Sequence, residues 1–303
     1  MNAFSCDVVG VGENSVDLVY RVPSLPHPNT KLRVTSHRRL LGGQVATTLC
    51  TCAALGLRTR YIGTFGNDEH GRLIRAELEQ RDIDTSRALV RYAPNRHAVI
   101  LVDEQTGDRT VAWERDPALV LRPEHISSDA LAGARVLHVD NVDEDAALAA
   151  ARLGRDAAII VTTDIDQVTD RTPDLIAAAT FPILAEHVPQ ALTGQVDPAR
   201  ALRAMRQRHD GMLCVTLGSR GSMLLVGDRL HYAPAVRVEA LDTTGAGDVF
   251  RGALIYSLLR GDDPDVMLSF ANAAAAISCT REGAIGGVPR LEEVQRQVIT
   301  RPT

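Results

Sequence analysis

Residues 241–253 read Leu-Asp-Thr-Thr-Gly-Ala-Gly-Asp-Val-Phe-Arg-Gly-Ala. The spacing joins what chemistry on an anion needs. A strand is expected to end near Ala240 and a helix to run over 247–259, which puts Gly245, Ala246 and Gly247 at a helix N-terminus. There the first backbone N–H groups lack partners inside the helix, and the dipole end is positive. Glycines let an anion approach those amides closely. Asp248 follows at once, in the first turn. Amides so placed stabilise charge growing on a phosphoryl group in transfer, and the carboxylate beside them can take the proton of an attacking hydroxyl. The alternative is a plain helix start, with the glycines forming a tight turn and Asp248 complementing the dipole.

Such a site needs elements to hold it. Apolar runs at 6–11, 60–64, 135–139, 157–162, 181–185 and 211–217 read as short buried strands, mostly continuous in hydrophobicity, as in a parallel sheet covered on both faces. Helical patterns lie between them: 44–55 ending at Gly56, 71–81, 143–153 stopped by Gly154, 197–209 opened by Asp-Pro, and 265–279. This alternation implies a doubly wound α/β architecture. Segments 16–22, 31–41, 97–103 and 109–114 alternate nearer to period two, and Gln-Thr-Gly-Asp at 105–108 separates the last two like a hairpin turn. They are expected to form a small inserted β lid; the alternative is an antiparallel edge on the main sheet. The chain then reads as one domain over 1–303, its lid built from residues 16–41 and 97–114.

Composition narrows the partners. Of 303 residues, 45% are hydrophobic and 23% charged, with net charge -5 and no polybasic run, so nucleic acid and anionic membrane are not expected. The N-terminus has no basic start before a long apolar stretch, and nothing approaches the roughly 20 apolar residues of a membrane span, so a cytoplasmic protein is expected. The five cysteines are odd in number and scattered, against a disulfide framework. Cys50 and Cys52 have no second pair or nearby histidines to complete a metal site.

Other segments join the first. Residues 41–47 (Leu-Gly-Gly-Gln-Val-Ala-Thr), 53–56, 62–71, 215–221 (Val-Thr-Leu-Gly-Ser-Arg-Gly), 270–276 and 281–284 stand in order around Asp-Thr-Thr-Gly-Ala-Gly-Asp. Together they resemble the ribokinase-like (PfkB) carbohydrate kinase family over about residues 7–289. The resemblance implies a Rossmann-like core with a β lid that often makes a dimer contact, and an enzyme that uses MgATP to phosphorylate a hydroxyl of a sugar or nucleoside. It makes Asp248 the catalytic base and Gly245, Ala246 and Gly247 the anion hole. Asp17 matches the acid that holds substrate hydroxyls, and Gly42 and Gly43 the pair against which the sugar lies, with Gln44 and Thr47 beside them. Thr216, Gly218, Gly221 and Asn272 fall in the ATP-binding segments. Asp242 and Thr244 match a loop that binds a monovalent cation, so ATP, Mg²⁺ and K⁺ are the implied cofactors.

Two departures stand out. The family usually has Asn at Thr47. Its Asn-x-x-Glu motif, which helps organise Mg²⁺, falls at 185–188, where this chain reads Ala-Glu-His-Val; Glu186 is the available substitute. Ketohexokinases also depart there, and residues 106–110 and 138–140 look somewhat like their lid and substrate segments.

The remaining candidates divide. Gly10-x-Gly12 after the first strand lacks the third glycine of a dinucleotide fingerprint, and no GxxxxGK[ST] or HExxH occurs. Asp140 closes a strand where open α/β sheets bind ligands, so it reads either as a substrate contact or as a turn former. His138 reads as a core histidine, Trp113 as a lid residue that packs or covers substrate, and Arg109 as a substrate contact or a solvated charge. The expected function is phosphorylation of a small sugar. The alternatives are a nucleoside kinase, against which the 4% aromatic content weighs, and a sugar-binding regulatory protein without catalysis. Val19, Val34, Val99, Leu101 and Val111 supply more apolar surface than a thin lid needs, so a homodimer through the lid is expected.

Overall fold

The computed structural model describes residues 6–106 and 108–299. Gly107, in the turn read at 105–108, lies outside the described residues. Val8–Val11 and Val136–Asp140 are buried at every position, as strands covered on both faces must be. They lie in an eight-stranded sheet ordered Arg229–Ala233, Ser222–Val226, Leu213–Thr216, Phe181–Ala185, Ile160–Ile165, Val136–Asp140, Val8–Val11, Thr59–Ile62. The last six are mutually parallel, and the first two form an antiparallel edge. One apolar layer gathers Leu49, Val249, Leu254 and Leu268 from helices Gln44–Ala54, Ala246–Arg260 and Pro264–Ser278. The opposite layer gathers Ala147, Ala151, Leu175 and Leu202 from helices Glu144–Asp156, Thr172–Ala178 and Pro198–Arg206. The doubly wound α/β sheet is therefore as expected.

Chain direction across the sheet reverses at Val8–Val11. This strand pairs with Thr59–Ile62 on one side and Val136–Asp140 on the other, and such a switch point leaves a crevice at the strands' carboxyl ends. From that crevice rises a separate four-stranded sheet, ordered Ser36–Gly42, Ser15–Val22, His97–Asp103, Arg109–Glu114. Its outer pairings are antiparallel and its central one parallel. The lid is thus distinct from the main sheet, whose antiparallel edge is built instead by Ser222–Val226 and Arg229–Ala233.

Four local readings change. The strand read over 31–41 begins only at Ser36, because its register with Ser15–Val22 ends at Arg21↔Ser36, beyond which Thr35 N still donates to Arg21 O at 3.0 Å. The strand read over 60–64 breaks at Gly63, and Thr64–Gly66 leaves to pair with Leu89–Arg91. Gly154 does not stop its helix, which runs on to Asp156; the glycine packs its helix on the sheet, where a Cβ would stand 2.9 Å from Leu137. No strand ends near Ala240. The chain leaves the sheet at Ala233 and crosses the end of Pro264–Ser278, where Leu241 N donates to Cys279 O at 2.8 Å.

Candidate active site

The helix Ala246–Arg260 begins as its sequence implies. Gly245 is the N-cap at φ 75, with no side-chain cap; Ala246 N turns back to Thr243 O at 3.3 Å, which leaves the Gly247 and Asp248 amides of the first turn for another acceptor. A Cβ on Gly245 would stand 2.5 Å from the Ala284 Cβ; the position needs glycine for its left-handed backbone and for space. Asp248 lies in the first turn. Thr48 Oγ1 donates to its backbone oxygen at 3.2 Å, tying this turn to Gln44–Ala54.

The helix start separates two clefts. One, of about 660 Å³, is lined by Asp17, Gly42, Gly43, Gln44, Gly245 and Asp248 among others. The other, of about 600 Å³, is lined by Thr216, Gly218, Gly221, Ala246, Gly247 and Asn272, with Val236, Phe250 and Ala276 as apolar wall. A flat apolar group fits the second cleft, and anionic groups attached to it would meet the helix amides. Asn272 itself is held by the fold: Ser222 Oγ donates to its Oδ1 at 3.1 Å, and its Nδ2 donates to Ala233 O at 2.9 Å.

Charge in the first cleft is concentrated and partly dry. Burial pushes the Asp248 carboxyl well above the usual carboxylate range, the neighbouring Asp164 charge adds to this, and Arg251 opposes it. Burial also raises Asp17 and Glu13, with Arg96 opposing both. Arg96 Nε lies 2.8 Å from Glu13 and its Nη1 lies 3.9 Å from Asp17. A raised carboxyl that keeps an adjacent cation is suited to accept a proton or hold hydroxyls.

Several expected residues fall elsewhere. Asp140 is turned inward, 1% exposed, and its carboxylate accepts from Glu13 N at 2.6 Å and Val142 N at 3.1 Å. It shapes the switch-point loops and does not face the cleft, so of its two readings the turn former is the one that fits. Thr47 is fully buried, and its hydroxyl has no hydrogen-bond partner among the described residues. It lies one helical turn below the cleft surface formed by Gly43 and Gln44. Glu186 pairs with Arg220 and lines neither cleft. Asp242 accepts from Thr244 N at 2.9 Å and Gly283 N at 2.8 Å, while Arg109 donates to Thr244 Oγ1 at 3.1 Å. A guanidinium therefore stands against the loop read as a cation site. His138 is a core histidine, hydrogen-bonded to Thr162 at 2.9 Å and lowered by burial to about 3.

Sequence reasoning missed Glu13, Arg96, Asn141 and Asp166, all on the first cleft. Glu13 directly follows Gly12, and Asn141 and Asp166 directly follow strands, so a rule that inspects every strand's carboxyl end would have found these three. Arg96 directly precedes the lid strand His97–Asp103 and carries no local signal. Trp113, 65% exposed, faces the same cleft with Arg96 5.8 Å over its ring.

The arrangement has counterparts. The ATP-dependent ribose-1-phosphate kinase of Halopiger xanaduensis is 26% identical over 287 residues, covering 91% of this chain and 93% of that protein. The aminoimidazole riboside kinase of Salmonella typhimurium is 27% identical over 307 residues, covering 92% and 91%. The ribokinase structure from Thermotoga maritima superposes with TM-score 0.86 at 25% identity, covering 97% of this chain and 100% of that one, so the fold is ribokinase-like. A profile of the pfkB family carbohydrate kinases matches residues 6–291, and the chain accordingly belongs to the pfkB family and is a carbohydrate kinase.

Proposed function

We propose that this chain transfers the γ-phosphoryl group of ATP to a hydroxyl of a small sugar bound under the lid, with Asp248 as base. One observation carries the reading: a glycine-started helix with no side-chain cap and an acid in its first turn stands between a polar cleft and an apolar-walled one. The sugar lies in the first cleft against Gly42 and Gly43, its hydroxyls accepted by Asp17. The nucleotide lies in the second, its base on the apolar wall. Asp248 takes the proton of the attacking hydroxyl as the O–P bond forms. The bond from the γ-phosphorus to the β–γ bridging oxygen breaks, ADP leaves, and the amides of Gly245, Ala246 and Gly247 meet the charge on the phosphoryl oxygens. Among the described residues no cluster of three or more acid, His or Cys side chains is placed to cage a metal. Mg²⁺ is therefore expected to arrive on the nucleotide phosphates and keep its waters.

A screen of sugars and ribosides with MgATP, read as ADP release, tests this; no release above the ATP background with any acceptor would overturn it. The nucleoside reading has its own support in the exposed ring of Trp113 beside the first cleft and in the likeness to a riboside kinase; preference for ribosides over free sugars would select it. A regulatory protein without catalysis is disfavoured by the intact Gly-Ala-Gly-Asp.

Asp17→Ala is expected to weaken acceptor affinity by about 1.5–3 kcal/mol, the range for a hydrogen bond to a charged group, and to leave ATP affinity unchanged. Calorimetry with each ligand separates this from a folding defect, which would weaken both.

We read the chain as one domain with its lid, in a reducing cytoplasm that suits cysteines free of disulfides; no helix among the described residues is long and apolar enough to cross a membrane. We also read it as a homodimer through the lids. By register Val19, Ile100 and Val111 share the face bearing Asp17, whereas Val99 and Leu101 share the opposite face. Val99 is 37% and Val111 49% exposed, so both faces leave apolar surface to cover. Light scattering at micromolar protein is expected to give twice 32.7 kDa, and Val111→Asp to halve it. A single-chain mass for the fully active protein would rule the dimer out.

A further inference from the structure

We propose that Glu282 is a positioning residue that couples the lid to the helix start at Gly245, holding that turn in place while the lid is seated; the inference rests on the turn being the site of phosphoryl transfer. Glu282 takes two lid arginines at once. Arg21 Nη2 lies 3.4 Å from its Oε1, and Arg38 Nε lies 3.6 Å from its Oε2. The arginines stand on neighbouring strands, Ser15–Val22 and Ser36–Gly42. By register both share the lid face that bears Asp17.

The next two residues carry the contact onward. Gly283, at φ 76, lies under the lid, where a Cβ would stand 3.2 Å from Leu40 Cδ1. Its N donates to Asp242 Oδ2 at 2.8 Å, and Asp242 Oδ1 accepts from Thr244 N at 2.9 Å. Ala284 packs on Gly245 so closely that a Cβ there would stand 2.5 Å from the Ala284 Cβ. Lid and helix start thus meet through three consecutive residues, and so short a bridge leaves little chain to absorb a shift on either side.

Stability does not account for the pairs. The Arg21, Arg38 and Glu282 side chains are 33%, 66% and 36% exposed, and exposed pairs contribute at most about fivefold each to a folding equilibrium. The same few-fold effect is large for an element that opens and closes. A cleft of about 330 Å³ separates the lid from the turn, with Arg21, Arg38 and Arg109 on one wall and Asp242, Thr243 and Thr244 on the other. Arg109 crosses it to Thr244 Oγ1 at 3.1 Å. Lid and turn meet across this space largely through polar contacts, which open and re-form more readily than a packed core.

Such a link has a chemical use. Water is a rival acceptor: its oxygen would bond the γ-phosphorus, the bond to the bridging oxygen would break, and Asp248 would take a water proton, leaving ADP and inorganic phosphate. A turn that is fully placed only when the lid is down over a sugar favours transfer to the sugar over this loss.

The test is Glu282→Gln, which keeps the size and loses the charge. In the free protein, amide hydrogen exchange is expected to quicken several-fold both in lid residues 36–42 and in turn residues 242–249. With MgATP and the acceptor found in the screen above, the share of ATP lost to water and the KM for that acceptor are each expected to rise about three- to tenfold. ATP affinity and melting temperature stay as in the wild type. Arg21→Gln/Arg38→Gln is expected to reproduce these effects, and adding Glu282→Gln to it to change nothing more. Glu69→Gln is the control: it breaks the lid pair between Arg39 and Glu69 at 2.5 Å, on the opposite face of Ser36–Gly42, and is expected to leave turn exchange and ATP loss unchanged. Unmoved turn exchange or unmoved ATP loss in folded Glu282→Gln overturns the proposal, as does an equal effect in Glu69→Gln. Should Glu282→Gln not fold, the arginine variant carries the same test. If the wild type phosphorylates no acceptor, the reading of the site fails and this role falls with it; wild-type transfer with unmoved variants sinks this role alone.

Discussion

Asp248→Asn is expected to lower turnover by about 10²–10⁴-fold, the usual contribution of a placed general base, with sugar and ATP affinities changed far less. Asparagine preserves the size of the side chain and can still accept a hydrogen bond from the substrate hydroxyl, but it cannot take that hydroxyl's proton. It also replaces a carboxyl that burial and the neighbouring Asp164 already disfavour in its charged form, so the folded protein is expected to be no less stable. Loss of turnover with unchanged or raised thermal stability is therefore the pattern that identifies a base. Stopped-flow product formation, calorimetry for both ligands and a melting curve check it together. Near-normal turnover would end the assignment; equal loss of turnover and stability would make Asp248 a structural residue.

Gly245→Ala is expected to cost about 10²–10³-fold in turnover, the effect of displacing a transition-state donor. Alanine is strained at φ 75, and its Cβ would meet Ala284 at 2.5 Å from the Cβ and 2.7 Å from the backbone Cα. Backbone cannot yield as the end of a flexible side chain can, so the first turn of Ala246–Arg260 must shift away from residues 283–284. The apolar wall of Phe250 and Ala276, against which the nucleotide base is proposed to lie, is further along the helices, and ATP affinity is expected to fall only several-fold. A KM-against-kcat split measures this: loss confined to KM for ATP would show that the turn binds nucleotide and stabilises no charge.

Local composition carried much of the design. The run from Asp242 to Asp248 announces a helix start, free amides and an acid within one turn, because glycine tolerance and helix-end chemistry are properties of neighbouring residues. The buried strands 8–11, 136–140 and 181–185 are legible for a similar reason: burial on both faces demands continuous apolar runs. The lid strand His97–Asp103 shows the period of two that one-sided burial imposes in its first half, Ala98 and Ile100 buried about exposed Val99, whereas Arg109–Glu114, read the same way, is exposed at every position because it is the edge of the lid sheet. Gly154 misled because a glycine that ends a helix and one that lets a helix approach a sheet are the same letter, and only Leu137 across the gap separates them.

What local pattern could not decide was which side chains face one another. Asp140 closes a strand and Glu13 lies just past one, yet one is spent on the other's backbone amide and the other lines the cleft. Arg109 comes to Thr244 across 135 residues of chain, and Arg251 comes to Asp164 across the boundary between helix and sheet. The sequence alone therefore determined the fold class, the glycine-started helix turn and its acid, since these depend on propensities over a few residues. The tertiary structure alone decided which charges pair, which carboxyls share a dry space and where the two clefts meet, since Coulomb energy and desolvation depend on separation in space and on the surrounding dielectric, neither of which is written in sequence distance.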